Sequence, residues 1–161
     1  MNVISEPLGP NNLLLVRTLR APRALLWRCW TEPELLCQWF CPKPWYVSEA
    51  VIDLRPGGRF FSMMNGPNGE VFPNEGSLLE VVPMERLAFP DLMAADWQPV
   101  EAGMGFSATV TFRDAPEGGT TYTALARHRN PAERDKHAEM GFEPGWGTAA
   151  AQLDELALTL A

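Results

Sequence analysis

The C-terminal end of the chain shows the clearest helical spacing of apolar and polar positions. Gln152, Glu155 and Thr159 fall on one side of a helical projection of residues 148–160. Apolar residues recur on the other side at steps of three and four, at Trp146, Ala149, Ala150, Leu153, Leu156, Ala157 and Leu160. This pattern predicts an amphipathic helix over 148–160, and its apolar stripe requires another surface of the protein to cover.

Two shorter helices are predicted near the N-terminus, after a first apolar strand at 12–20. Pro22 suits the first turn of a helix that runs to about Trp30, because the N–H that a proline lacks would have no partner there. Pro33 and its acidic neighbours suit the start of a second helix. This helix must end before the Cys-Pro-Lys-Pro segment at 41–44, because its prolines cannot donate backbone hydrogen bonds.

The middle of the chain changes to the period of two that is typical of strands. The alternation is clearest between Met104 and Phe112, and a polar helix at 130–139 precedes the final helix. Glycine- and proline-rich turns separate the predicted strands, which lie within 45–54, 59–64, 70–73, 76–82, 85–89, 104–112 and 120–128. This order indicates an α+β fold in which a curved antiparallel sheet wraps around one long helix. One helical stripe cannot fill the whole concave face, so a gap between sheet and helix is expected.

The segment 90–103 interrupts the strands without a period of its own. It carries two prolines and acidic groups around Trp97. Long loops in compact domains are often functional, so this one is predicted to be a long loop that serves as a lid.

Composition limits the class of protein. A chain of 161 residues suits a single domain over 1–161, and its net charge of −7 comes without any run of basic residues. Nucleic acid is therefore not expected as a partner, because phosphate binding needs clustered positive charge. The N-terminus has no signal-peptide pattern, and no apolar segment is long enough for a membrane span, which predicts a cytoplasmic protein.

Three cysteines lie close together in sequence, at positions 29, 37 and 41. A metal or redox site would need a further ligand from elsewhere, and neither histidine is near them in sequence. We interpret Cys29, Cys37 and Cys41 as small buried hydrophobic residues in a reducing compartment, and no metal or other cofactor is predicted.

Several segments carry a family resemblance in the right order: A-P-R-A-L-L-W-R-C-W-T-E-P-E-L-L-C-Q-W-F-C-P, D-L-R-P-G-G-R-F, G-S-L-L-E-V-V-P-M-E-R-L-A-F, V-T-F-R-D and H-A-E-M-G-F-E-P-G-W. From about 13 to 160 the chain resembles the bacterial single-domain relatives of the activator of heat shock protein 90 ATPase family, part of the START-like group. The resemblance implies a helix-grip fold, with six to seven antiparallel strands around the C-terminal helix. It also implies a cavity of the kind that holds apolar molecules in the wider group. It implies no catalytic residue, and the chain has no room for the extra domain with which eukaryotic members engage the chaperone.

Large apolar side chains are predicted to line this cavity, because aromatic rings offer contact area and methionine adapts to irregular shapes. The alternative is that they only fill the core. The candidates are Trp39, Trp45, Phe61, Met63, Phe72, Phe89, Phe106, Met140, Trp146 and Leu153.

Polar candidates are fewer. Glu80 or Asp53, each within a strand pattern, is predicted to orient a polar group of the ligand. His128 and His137 are interpreted as solvated or capping residues, because one ends a strand and the other lies in a very polar helix. The glycines between Arg55 and Arg59 favour a turn over an anion site, since no helix follows them.

Three functions remain open. The first is the binding of a small apolar or aromatic molecule, and the second is an enzyme of cyclase, dehydratase or hydrolase type acting on such a molecule. The enzyme would need a polar side chain in the cavity from the set Asp53, Glu80, Tyr122, Arg127 and His128. The third is a chaperone partner, with a role in the stress response. An exposed sheet edge would also suit a homodimer.

Overall fold

The computed structural model describes residues 9–101 and 105–161. Met104, where a predicted strand begins, and the N-terminal segment 1–8 lie outside the described residues. In chain order the elements are β1 (Asn12–Leu19), α1 (Arg23–Thr31), α2 (Pro33–Trp39), β2 (Tyr46–Ile52), β3 (Arg59–Asn65), β4 (Val71–Ser77), β5 (Glu80–Val82), β6 (Arg86–Pro90), β7 (Met93–Ala94), β8 (Gln98–Pro99), β9 (Phe106–Asp114), β10 (Thr120–His128), α3 (Pro131–Glu139) and α4 (Phe142–Thr159).

The strands are antiparallel and divide into two main sheets. One has the order β1-β10-β9-β6-β5 and the other the order β2-β3-β4, while β7 and β8 form a small separate ribbon. β1 pairs with β10 along its whole length, from Asn12 opposite Arg127 to Leu19 opposite Thr120. The α+β class is therefore confirmed, with a large antiparallel sheet, two short helices after the first strand and a long C-terminal helix.

The final helix begins earlier than its apolar pattern predicts. α4 starts at Phe142 rather than at 148, directly after Gly141 with a φ of 97°. Pro144 lies in the first turn, where its missing N–H has no cost, and the N–H of Gly145 donates to the carbonyl of Gly141 at 2.9 Å. A proline and two glycines therefore mark the first turns of the helix rather than the loop before it.

A buried carboxylate ties α4 to the first strand and first helix. Asp154 accepts hydrogen bonds from the backbone N–H groups of Arg20 at 3.1 Å and Ala21 at 2.9 Å. The hydroxyl of Thr120 donates to the carbonyl of Ala21 at 2.7 Å, so β10 holds the same corner. These bonds fix the angle at which the helix crosses the sheet.

β4 is one strand where the sequence pattern predicts two short ones. Pro73 lies opposite Met63 in the middle of the β3–β4 pairing. A proline is tolerated there because β4 is an edge strand of its sheet, so its missing N–H removes no ladder bond. The predicted break at 74–75 is therefore wrong, and the chain instead breaks at Leu78 and Leu79, before β5.

The two main sheets approach each other closely at Gly76. A Cβ atom there would lie 2.9 Å from the carbonyl oxygen of Pro90 in β6 and 3.2 Å from that of Phe60 in β3. Only a residue without a side chain allows β4 to come this near to β6.

The segment predicted as a long loop contains β7, a short 3-10 turn at Ala95–Trp97 and β8. Its tip packs on the turn before β3. The N–H of Asp96 donates to the carbonyl of Gly57 at 2.8 Å, and a Cβ on Gly57 would lie 2.9 Å from Nε1 of Trp97. The segment is thus anchored at its tip, and its role as a lid stays a prediction.

Candidate ligand-binding site

A cavity of about 330 Å³ lies where the two main sheets, α2 and the first half of α4 meet. Its wall is mostly aromatic and aliphatic, with a few polar side chains. The lining residues are Trp30, Trp39, Phe40, Cys41, Pro42, Phe60, Met64, Phe72, Asn74, Glu75, Gly76, Phe89, Pro90, Asp91, Phe106, Tyr122, His137, Met140, Gly141, Phe142, Gly145, Trp146 and Ala149.

Packed rings form the wall. Trp30 stands edge-on to Trp39 with ring centroids 4.9 Å apart, and Phe60 contacts Phe89 at 4.8 Å. On the α4 side, Phe142 contacts Trp146 at 5.7 Å. Rings held by such contacts cannot easily turn inward to fill the space, because each is already packed against its neighbours.

The structure brings six of the ten predicted cavity residues to the cavity wall: Trp39, Phe72, Phe89, Phe106, Met140 and Trp146. Lining side chains absent from the prediction include Trp30, Phe40, Phe60 and Phe142. The sequence shows that these residues are apolar, but it does not show which face of the helix or strand points toward the cavity.

The other four predicted residues lie elsewhere. Phe61 and Met63 are on the opposite face of β3 from Phe60 and Met64, and the guanidinium of Arg59 lies 4.5 Å from the ring centre of Phe61. Successive residues of a strand point to opposite faces of the sheet. Assigning Phe61 and Met63 instead of Phe60 and Met64 to the cavity therefore selects the face of β3 that points away from it.

Trp45 and Leu153 are also absent from the cavity wall. Trp45 packs beside the β3–β4 turn, where a Cβ on Gly66 would lie 2.9 Å from its ring. Leu153 is fully buried in the core under α4.

Neither predicted carboxylate reaches the cavity. Glu80 forms an ion pair with Arg86, and Asp53 forms one with Arg55 at 2.8 Å, and both carboxylates are about half exposed. The acidic groups at the cavity are instead Glu75 and Asp91.

Both of these acids have partners. Glu75 pairs with Arg59, and Asp91 accepts from the backbone N–H groups of Gly105 at 3.1 Å and Phe106 at 3.0 Å. Glu75 therefore links β4 to β3, and Asp91 holds the start of β9 in place.

Two buried residues with polar groups, Trp30 and Tyr122, contribute to the cavity wall. Trp30 is fully buried, and its indole N–H lies near the hydroxyl of Tyr122 without making a hydrogen bond of normal geometry. Burial raises the pKa of Tyr122 well above its usual range, and the nearby N–H of Trp30 only partly opposes this rise. The hydroxyl is therefore neutral, and its oxygen is the acceptor nearest to the indole N–H of Trp30.

Two histidines form a second polar feature. Nδ1 of His128 lies 2.8 Å from the backbone carbonyl of Asn11, and Nε2 of His128 lies 2.9 Å from Nδ1 of His137. The His137 ring also contacts Phe106, with centroids 4.7 Å apart, and Phe142, at 5.2 Å. The interpretation of both residues as solvated or capping groups is therefore wrong.

Tertiary packing explains that correction. Only 8% of His128 and 6% of His137 is exposed. His128 continues the buried alternation of Ala124 and Ala126 along β10, a signal that the sequence did contain. His137 occupies the one buried position of α3, an otherwise polar helix that packs on β1 and β10.

The carbonyl of Asn11 determines the tautomer of this pair. A carbonyl oxygen can only accept, so Nδ1 of His128 carries a proton. When the His128 ring carries this proton alone, its Nε2 accepts, and Nδ1 of His137 donates to it. Nε2 of His137 is left as an acceptor, and it has no hydrogen-bond partner among the described residues.

Burial lowers the pKa of His137 to about 4, and the neighbouring His128 adds to this shift. The ring is therefore neutral near pH 7, as the tautomer assignment requires. A neutral imidazole in an apolar wall can accept a hydrogen bond from a bound molecule.

The cysteines are protonated thiols near neutral pH. Burial raises the pKa of Cys29 and of Cys41 to about 11, which makes both poor nucleophiles and poor metal ligands. Within 9–101 and 105–161, no three His, Cys, Asp or Glu side chains are placed to hold a metal ion. In the same residues, no helix has the length and apolar character to cross a membrane.

Comparison with known proteins gives one family. Residues 20–157 match the family described as Activator of Hsp90 ATPase homolog 1-like protein. No curated protein matches the sequence significantly.

Solved structures agree with this match. The chain is 42% identical to a protein from Nitrosomonas europaea, with a TM-score of 0.89 over 94% of this chain and 96% of the other. A protein from Rhodobacter sphaeroides is 24% identical, with a TM-score of 0.81 over 96% and 97% of the two chains. A structure titled as an AHSA1-like protein from Aeromonas hydrophila is 19% identical, with a TM-score of 0.69 over 92% and 93%. The last two likenesses concern the fold alone.

Proposed function

We propose that this chain, which belongs to the Activator of Hsp90 ATPase homolog 1-like family, binds a small apolar or aromatic molecule in the cavity between its sheets and α4. The observation that carries the proposal is the unfilled, aromatic-lined space of about 330 Å³. A concave site that opens to solvent and is lined mainly by aromatic and aliphatic side chains is typical of small-molecule binding. The cavity is within the size range of ligand pockets, which begins at about 300 Å³.

The polar groups of the wall support the same proposal. Binding pockets typically combine an apolar lining with a few polar groups that orient the ligand. Nε2 of His137, a residue of the wall, is an acceptor that a bound molecule can satisfy.

The expected affinity is modest. A ligand of about twenty non-hydrogen atoms at about 0.3 kcal/mol per atom would bind with about 6 kcal/mol, which corresponds to tens of micromolar. Binding must therefore be measured at ligand concentrations above this range.

A pair of leucine variants on α4 tests the proposal. Gly145 lines the cavity. The atom nearest to a Cβ at this position would be Cγ of Pro42, at 4.0 Å. Gly145→Leu therefore places a side chain into the cavity without a clash at Cβ. Thr148→Leu adds the same side chain at an exposed position of the same helix and serves as the control.

Native mass spectrometry of the purified protein should reveal a co-purified molecule, or a thermal-shift screen of fatty acids, flavonoids and polyketide-like aromatics should give a stabilising compound. Either effect should persist in Thr148→Leu and disappear in Gly145→Leu. A ligand-free mass together with no shift from any apolar compound would overturn the proposal. The chain should then be tested for stimulation of the cognate chaperone ATPase.

An enzyme acting on the bound molecule is the second candidate. A polar side chain in the cavity is what such an enzyme requires, and Tyr122 and His137 both lie in the wall. Nε2 of His137 is unprotonated near pH 7, but its pKa of about 4 makes it a weaker base than an ordinary histidine. The test is turnover of a compound identified by the binding screen. His137→Gln should abolish that turnover while leaving binding within a few fold, and equal turnover by the variant would exclude His137 as the base.

A further inference from the structure

The hydrogen-bond chain Asn11–His128–His137 fixes which kind of polar group the cavity can recognise on its α3 side. It begins at a backbone carbonyl and runs through two rings, each donating through Nδ1 and accepting through Nε2. The chain ends at Nε2 of His137, in a side chain that is 94% buried and belongs to the cavity wall. This nitrogen is not among the fully buried side-chain atoms that lack a partner, so it reaches accessible space in which a donor on a ligand can bind it.

We propose that Nε2 of His137 accepts a hydrogen bond from a hydroxyl group of the ligand, so that the cavity selects neutral apolar molecules carrying a phenol or alcohol group. This inference rests on the proposed binding function and adds the chemical class of the ligand.

The ring's surroundings favour an aromatic alcohol. Phe106 and Phe142 contact the His137 ring, with centroids at 4.7 Å and 5.2 Å, and both line the cavity. A hydroxyl held at Nε2 would therefore have its carbon framework against these two rings. Offset or edge contacts with an aromatic ligand add to the hydrogen bond.

The charge of the wall disfavours acids. Asp91 places a carboxylate at the cavity, Glu75 is already paired with Arg59, and a neutral imidazole acceptor offers no donor to an anionic oxygen. A carboxylate ligand would lose its water without gaining a charged partner at His137. Fatty acids and aromatic acids should therefore bind more weakly than alcohols of the same size.

Three probes with the same ring system separate these possibilities: 2-naphthol, 2-methoxynaphthalene and 2-naphthoate. The first can donate a hydrogen bond, the second cannot, and the third is an anion. Dissociation constants are measured by nuclear magnetic resonance titration at pH 7. One hydrogen bond corresponds to about fivefold in affinity, so 2-naphthol should bind about fivefold more tightly than 2-methoxynaphthalene, and 2-naphthoate should bind most weakly.

His137→Phe removes the acceptor and keeps an aromatic ring between Phe106 and Phe142. In this variant the ratio of the two dissociation constants should fall to about one. Lys136→Gln changes an exposed neighbour on the same helix and should keep the wild-type ratio.

Nitrogen-15 shifts of the wild-type histidines give a second test that needs no variant. They should show Nδ1 of His137 protonated and Nε2 unprotonated, and addition of 2-naphthol should shift Nε2. A proton on Nε2 of His137 would overturn the inference. Equal binding of 2-naphthol and 2-methoxynaphthalene would overturn it while leaving the cavity function intact. Binding of no probe would overturn both.

Discussion

His128 and His137 are nine residues apart in sequence and come from a strand and a helix, yet Nε2 of the first lies 2.9 Å from Nδ1 of the second. This contact joins α3 to the end of β10 and fixes the position of the one buried ring that α3 contributes. It also gives the stability of the fold a dependence on pH.

Stability should fall as the pH is lowered from about 6.5 to about 4. An unfolded histidine takes up a proton near pH 6.5, whereas burial holds the pKa of folded His137 at about 4. In this window the unfolded state binds more protons, so the free energy of unfolding decreases with decreasing pH, by on the order of 1–2 kcal/mol after allowance for the ring's access to the cavity. Urea denaturation at pH 7, 5.5 and 4 measures this loss.

The matching variant is His137→Gln, which does not titrate. Carboxylates with lowered pKa values, including those of Glu32, Glu80 and Glu133, also lose stabilising ion pairs at low pH, mostly below about pH 4.5. The variant keeps these contributions, so its stability should change less than that of the wild type between pH 6.5 and pH 4.5. Identical slopes in this interval would contradict the assignment to His137.

Asp154→Ala should destabilise the protein by about 2–3 kcal/mol. The substitution leaves the backbone N–H groups of Arg20 and Ala21 without their acceptor at a buried corner. Denaturant unfolding measures the change. Glu155→Ala, at the neighbouring exposed position, should stay within about 0.5 kcal/mol of the wild type. Comparable losses in the two variants would show that the carboxylate at 154 has no special role.

Gln152→Glu should loosen the wall segment between α2 and β2. The Gln152 amide donates to the carbonyls of Trp39 and Cys41, both at 2.9 Å, and its oxygen accepts from the N–H of Lys43 at 3.0 Å. A carboxylate can replace only the acceptor and would repel the two carbonyls. Amide hydrogen exchange at Phe40 and Trp45 should therefore become at least tenfold faster. Glu155→Gln is the control. Unchanged exchange in Gln152→Glu would show that the three hydrogen bonds of Gln152 do not stabilise this segment.

Gly57→Ala should cost more than Gly69→Ala. Both glycines have positive φ, 78° and 84°, so each substitution carries a backbone penalty of about 1–2 kcal/mol. A Cβ at Gly69 meets nothing within 4 Å, whereas one at Gly57 would lie 2.9 Å from Nε1 of Trp97. The extra loss at 57, about 1 kcal/mol or more, should shrink when Gly57→Ala is combined with Trp97→Leu. A constant difference in that double-mutant cycle would exclude the contact as its cause.

The sequence predicts an element correctly where its local pattern of residues is compatible with only one type of secondary structure. β10 occupies Thr120–His128, as expected for the return strand after the turn at 114–119, and α2 ends before Pro42 because the two prolines allow no continuation. The start of α4 was missed because Pro144, Gly145 and Gly147 are helix breakers in most contexts, and only their position in the first turns makes them acceptable.

The cavity was harder to predict than the fold. Phe60 and Phe61 are both apolar and both buried, so the alternation of β3 gives no choice between its two faces. The cover over Phe61 comes from Arg59, which the pattern counts as polar. His137 has polar neighbours on both sides, and its burial depends on how α3 packs against β1 and β10. Such choices are made by tertiary packing rather than by local sequence.

The close approach at Gly76 has a consequence for the range of ligands. β4 and β6 touch there without a shared hydrogen-bond ladder among the described residues, and the cavity takes its wall from both sheets. The contact at Gly76 therefore sets the spacing of the two sheets where both contribute to the wall. A side chain at position 76 would have to push β4 away from β6, so the width of the cavity depends on a residue that contributes no side chain of its own.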